Sequence, residues 1–203
     1  MAKLIIIAGP QSSGKTTLFK VLKNRYQNWR FIEEINPYQF DKNHPGAVFV
    51  DKKLQLKLLK KNLEVIKNID SKRTTVIEGG IFNLVYGEKF CGAKTAQIYL
   101  KKSLKLYKNL DPLIFFIDVK PEVSWRRRQD IYFARIKKQG VTDEKEISKL
   151  LTKYQKNLYS LYPLWMKYLE KIPYQKIIFR NSYVGEDEFI REAFLQIQKF
   201  LLL

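Results

Sequence analysis

Short apolar runs alternate with stretches of helical spacing along this chain. Lys3–Ala8 is rich in β-branched residues, the pattern of a parallel strand buried on both faces. Arg30–Glu34 (RFIEE), Thr74–Glu78 (TTVIE), Pro112–Asp118 (PLIFFID) and Tyr174–Arg180 (YQKIIFR) predict further strands. Thr16–Tyr26 has helical spacing, and Asp51–Ile69 places Leu54, Leu58, Leu59, Leu63 and Ile66 on one face of an amphipathic helix. Other helices are predicted over Lys94–Asn109, from Glu122 through a cluster of arginines, over Glu144–Leu169 with a break near Pro163, and over Glu186–Leu202. Such alternation implies an α/β fold with a five-stranded parallel sheet, right-handed crossovers and helices on both faces, a three-layer α/β/α arrangement. Ligands of such a sheet bind at the carboxyl ends of its strands.

Length and charge refine this picture. The chain has 203 residues, 45% of them hydrophobic and 14% aromatic, enough for one domain over 1–203 with its own core. Lys and Arg number 38 against 20 Asp and Glu, a formal net charge of +18. That surface attracts anions: nucleic acid, an acidic membrane surface or phosphorylated small molecules. The chain is also rich in Lys, Ile, Asn, Tyr and Phe as a matter of composition, so charge alone assigns no function. The single cysteine, Cys91, excludes a disulfide framework and a cysteine zinc site. The single histidine, His44, excludes a multi-histidine metal site, speaks against a Ser-His-Asp triad and reads as a surface residue. No apolar run approaches the roughly 20 residues of a membrane span, and Leu4–Ala8 is too short for a signal-peptide core. A cytoplasmic protein with no membrane partner is expected.

The first strand runs directly into Gly9-Pro10-Gln11-Ser12-Ser13-Gly14-Lys15-Thr16, which fits G-x-x-x-x-G-K-[ST] in a strand–loop–helix setting. Gly9 and Gly14 permit backbone angles that turn successive N–H groups around phosphate oxygens. The helix that follows adds its positive end. Lys15, on a loop expected to face solvent, is placed to reach β- and γ-phosphates, and Thr16 to hold Mg²⁺. Gln11, Ser12, Ser13 and Thr17 complete a nucleotide-binding set, and the chain reads as a P-loop NTPase fold that binds ATP and Mg²⁺.

Further candidates lie at strand ends. Glu33-Glu34 closes the second strand, ahead of Asn36-Pro37-Tyr38. A carboxylate there can accept the proton of an attacking hydroxyl. Strand alternation puts the two on opposite faces, which favours Glu34 with Glu33 as the alternative. Gln55-x-x-Leu58-Leu59 lies on the second helix, where Gln55 either reads a base edge or sits on the surface. Glu78-Gly79-Gly80-Ile81-Phe82 ends the third strand, where by itself Glu78 reads as a cap of the next helix. Phe116-Ile117-Asp118-Val119-Lys120-Pro121-Glu122 leads into Trp125-Arg126-Arg127-Arg128, a charge run that by itself reads as a basic solvated face. Tyr154, Leu158, Tyr159, Tyr162 and Trp165 at helical spacing read as a core stripe.

Over nearly the whole chain these segments resemble the nucleoside and nucleotide monophosphate kinases, and more narrowly the deoxynucleoside kinase family. The resemblance implies a helical lid over about 126–143, with Arg127 as the best match to its first arginine and Arg128 and Arg135 nearby. It implies a base-reading Gln55, a metal-holding Glu78, Tyr38 in the acceptor site, adenine contacts from Asn181–Gly185 and a homodimer. It also exposes a departure, because the family's arginine after the acidic residue is replaced by Gly79. The expected reaction is ATP-dependent phosphoryl transfer to the 5′ hydroxyl of a deoxynucleoside. The alternatives are a thymidylate-type monophosphate kinase, and a nucleotide-binding P-loop protein without kinase activity that binds nucleic acid.

Overall fold

The computed structural model describes residues 3–42, 44, 50–181 and 185–201. Five parallel strands form one sheet in the order β2-β3-β1-β4-β5, comprising β1 Leu4–Ala8, β2 Arg30–Ile32, β3 Thr75–Glu78, β4 Leu113–Asp118 and β5 Lys176–Arg180. The central β1 is buried along its length and pairs with β3 through Ile6↔Ile77 and with β4 through Ile6↔Ile114. Its side chains alternate between two cores, as the two-residue period of a strand requires. Ile5 and Ile7 pack with α1 (Lys15–Arg25) and α8 (Glu186–Leu201). Leu4, Ile6 and Ala8 pack toward α2 (Lys52–Lys67), α3 (Leu84–Cys91), α4 (Ala93–Tyr107) and α7 (Glu144–Lys171). The three-layer expectation is therefore met, and the loop after β1 emerges between the ends of β3 and β4, at the crevice where a doubly wound sheet takes its ligands.

Several elements differ from expectation. β2 ends at Ile32, so Glu33 and Glu34 lie beyond the strand. The arginine segment is two helices, α5 Pro121–Arg126 and α6 Gln129–Lys138, separated at Arg127-Arg128. Pro163 does not break α7, which runs unbroken for 28 residues from an Asp143 cap that accepts from the Glu146 N–H at 2.8 Å. One lost backbone hydrogen bond is offset there by a stripe of buried side chains from Tyr154 to Leu169, the core stripe that the spacing foretold. α3 was not foreseen. It follows a 3₁₀ turn, Gly80–Asn83, and residues 79–87 are all buried, so only Glu88 and Lys89 mark a polar side of it in the sequence. On α2, Leu54 and Leu63 are only partly buried, whereas Gln55 and Asn62 belong to the buried face. Among the described residues no helix is long and apolar enough to cross a membrane.

Candidate active site

The phosphate loop is held from every side. Gly9 has φ +144° and Gly14 φ +100°, conformations that a side chain would strain. A Cβ on Gly9 would lie 2.2 Å from the Ile117 carbonyl oxygen, so this residue fits against the end of β4 only without one. Behind the loop, Asn181 at the end of β5 donates through Nδ2 to the Ser13 carbonyl at 2.7 Å, while its own N–H bonds the Asp118 carbonyl at 2.8 Å. In front, the Ser124 hydroxyl of α5 donates to the Gln11 carbonyl at 2.5 Å.

Lys15 is 8% exposed, which corrects the expectation of a solvent-facing side chain. Its Nζ donates to the carbonyls of Gly9 and Pro10, both at 2.9 Å, and lies 5.7 Å from the centre of the Trp165 ring. Burial lowers its pKa, and the charges of Glu34 and Glu78 act in the opposite direction. The Thr16 hydroxyl donates to Glu78 Oε1 at 2.5 Å, bringing together the two residues expected at the metal. Glu78 is 5% exposed. Ser12, Ser13, Thr16 and Thr17 all line one cleft of about 490 Å³ with Lys15 and Glu34.

The paired glutamates separate cleanly. Glu33 is exposed and pairs with Lys23 at 3.3 Å. Glu34 enters the cleft, where burial raises its pKa against the pull of Lys15; Glu78 adds to the rise and Arg128 opposes it. Its side chain lies over Gly79, whose Cβ, if present, would be 3.1 Å from Glu34 Cγ and 3.3 Å from Oε1. A side chain at position 79 would therefore crowd Glu34, and Gly79 adopts φ +77° beneath it.

The arginines also separate, in the order opposite to the sequence match. Arg127 is exposed and donates to the Ser12 carbonyl at 3.2 Å from outside the loop. Arg128 lines the cleft, and its buried Nε has no hydrogen-bond partner. Arg135 joins it there, 5.5 Å from the centre of the Tyr38 ring. Arg128, Tyr132, Arg135 and Ile136 follow helical spacing, a signal that would have favoured Arg128. Gln11 ties this arm to the cleft: its Oε1 accepts from the Tyr132 hydroxyl at 2.5 Å and its Nε2 donates to the Tyr86 hydroxyl at 3.3 Å. Tyr132 also stacks on Tyr154 of α7 at 4.3 Å.

The cleft is also lined by Tyr38, Gln55, Leu58, Asn83 and Tyr86. Gln55 is 1% exposed, so the surface alternative for it is wrong. Asn83 and Tyr86 escaped sequence reasoning because they lie on the unforeseen turn and α3. The expected adenine contacts from Ser182–Val184 lie outside the described residues.

The chain matches the model of the deoxynucleoside kinase family over residues 5–201. None of the curated proteins compared with it is similar enough in sequence to match. Solved structures share its fold. Deoxyadenosine kinase from M. mycoides, with products dCMP and a flexible dCDP bound, is 16% identical at TM-score 0.55, covering 97% of this chain and 99% of that one. The YorR protein from Bacillus subtilis, in complex with phosphorylated GDP, is 17% identical at TM-score 0.54, covering 97% and 96%. Shikimate kinase from Acinetobacter baumannii, in complex with shikimate, is 13% identical at TM-score 0.57, covering 99% and 94%. A phosphate loop closed by a carboxylate and an arginine arm, on a sheet shared with these enzymes and under a family match that spans the chain, makes this protein a P-loop kinase that belongs to the deoxynucleoside kinase family.

Proposed function

We propose that the protein transfers the γ-phosphoryl of ATP to the 5′ hydroxyl of a deoxynucleoside. The observation that carries this reading is the meeting of Glu34, Lys15 and Arg128 in one cleft. Glu34 takes the proton of the acceptor hydroxyl as its oxygen bonds the γ-phosphorus and the bond to the leaving ADP oxygen breaks. Lys15 and Arg128 stand where negative charge develops on the transferring group. Lys15 leaves the Gly9 and Pro10 carbonyls to reach the phosphates.

Thr16 and Glu78 fit a magnesium ion. Their oxygens already meet at 2.5 Å, they are the hard donors Mg²⁺ prefers, and that ion is commonly held by one or two protein oxygens with waters and phosphates completing its shell. When bound, it neutralises charge on the β- and γ-phosphates. Among the described residues no group of three or more His, Cys, Asp or Glu could hold a metal by itself.

The absence of an arginine at Gly79 and the Asn36-Pro37-Tyr38 segment support a nucleoside over a monophosphate, whose own phosphate would call for extra cations. The test is ATP consumption against a panel of deoxynucleosides, ribonucleosides and their monophosphates. Turnover with deoxynucleosides is expected. Turnover with monophosphates alone overturns the acceptor assignment. No turnover at all, with oligonucleotide binding that falls steeply with salt, supports a nucleic-acid-binding protein instead.

A further inference from the structure

Three buried carboxamides lie where α2 meets the turn after β3, and they are used differently. Asn62 Nδ2 donates to the Gly80 carbonyl at 2.8 Å and fastens the turn to the helix. Gln55, seven residues earlier and so on the same helix face, is 1% exposed. Asn83, at the end of the turn, is 4% exposed, and its Nδ2 is buried without a partner. Gln55 and Asn83 both line the cleft, and so does Tyr38, whose buried hydroxyl is also unpartnered. Leu58 and Ile35 line the same side.

Buried polar groups in folded proteins are almost always bonded, so unbonded ones on residues that line a cleft, as Tyr38 Oη and Asn83 Nδ2 are, point to a ligand that bonds them. All three are neutral, and apolar side chains flank them. That combination suits a flat, uncharged ring with donors and acceptors along its edge. We infer that Asn83 reads the acceptor's base together with Gln55, so that position 83 sets which bases are accepted. This rests on the nucleoside kinase reading above. A carboxamide offers a donor and an acceptor side by side, and base edges differ in the order of the same two groups. The unpartnered Nδ2 is a donor, and it pairs with a ring nitrogen or an oxo group.

Asn83→Asp keeps the shape and replaces that donor by an acceptor. The experiment measures kcat/KM and, by calorimetry without ATP, affinity for matched pairs: deoxycytidine against deoxyuridine, and deoxyadenosine against deoxyinosine. In N83D the preference for the amino member over the oxo member is expected to rise by about tenfold or more in the pair that the wild type accepts. Asn83→Ser, a smaller change that keeps a hydroxyl, is expected to flatten the preference and serves if N83D does not fold. Ratios unchanged within about twofold in the folded variants, with all substrates scaled alike, overturn the inference and leave the kinase reading standing. Wild-type protein that binds nucleosides without phosphorylating them overturns the kinase reading, and the affinities then decide the role of Asn83. Wild-type protein that binds no nucleoside overturns both.

Discussion

The phosphate loop and the group Tyr38, Gln55 and Asn83 line one cleft and differ in how firmly they are tied to the protein. Around the loop, Lys15, Thr16, Asn181, Ser124 and Gln11 bond backbone or side chains of the protein, although Ser13 Oγ and Asn181 Oδ1 are buried without partners. Tyr38 Oη and Asn83 Nδ2 are likewise buried and unbonded. The difference is one of degree: several side chains brace the loop, whereas these two atoms brace nothing.

The contrast can be broken by substitution. The largest loss is expected for Lys15→Ala, about 10³-fold or more in kcat, measured as ATP turnover on the best acceptor. Thermal unfolding should show the fold retained, because Lys15 itself lines the open cleft, which leaves the space it vacates accessible to solvent. Turnover near wild type would remove the donor half from the chemistry altogether. Glu34→Gln is expected to lower kcat by about 10²–10⁴-fold, against less than about twofold for Glu33→Gln. Its pH profile sharpens the assignment. Burial raises the Glu34 pKa above the ordinary value of 4.5, so the base holds its proton to higher pH and the acid limb of kcat/KM should fall above that value. Glu34→Gln should abolish that limb, and an unchanged limb would assign it to another group. The smallest of the three is the arginine pair. Arg128→Ala is expected to cost about 10²–10³-fold in kcat and Arg127→Ala less than about tenfold. The reverse order would restore the sequence match.

Much of this was legible before any coordinates. The run Lys3–Ala8 into Gly9–Thr16 names its own strand, loop and helix, because each residue type there answers one steric or electrostatic demand. Glu34 over Glu33 followed from alternation, although the strand ends before either of them. What stayed hidden lacked a local signal. A short helix whose first turn is wholly buried, such as α3, offers only Glu88 and Lys89 as polar positions, too few to reveal its period. Arg127 and Arg128 are neighbours in a charge run, and only the break between α5 and α6 decides which one turns inward. Asn83 carries no motif, and its importance comes from being buried and unbonded, properties that exist only in the fold.

The arm that carries Arg128 has one more consequence, for the timing of catalysis. Tyr132 and Ile136 are each 1% exposed, and Tyr132 lies stacked on α7. Swinging α6 away would expose Ile136, at about 1.5–3 kcal/mol, and would undo the aromatic stack for about 0.5–1.5 kcal/mol more. A swung-out arm then sits about 3 kcal/mol above the observed one and occupies less than about 1% of molecules. Substrates therefore meet an arm already in place. What holds Arg128 and Arg135 at the cleft is then the arm's own packing on α7 rather than a bound ligand.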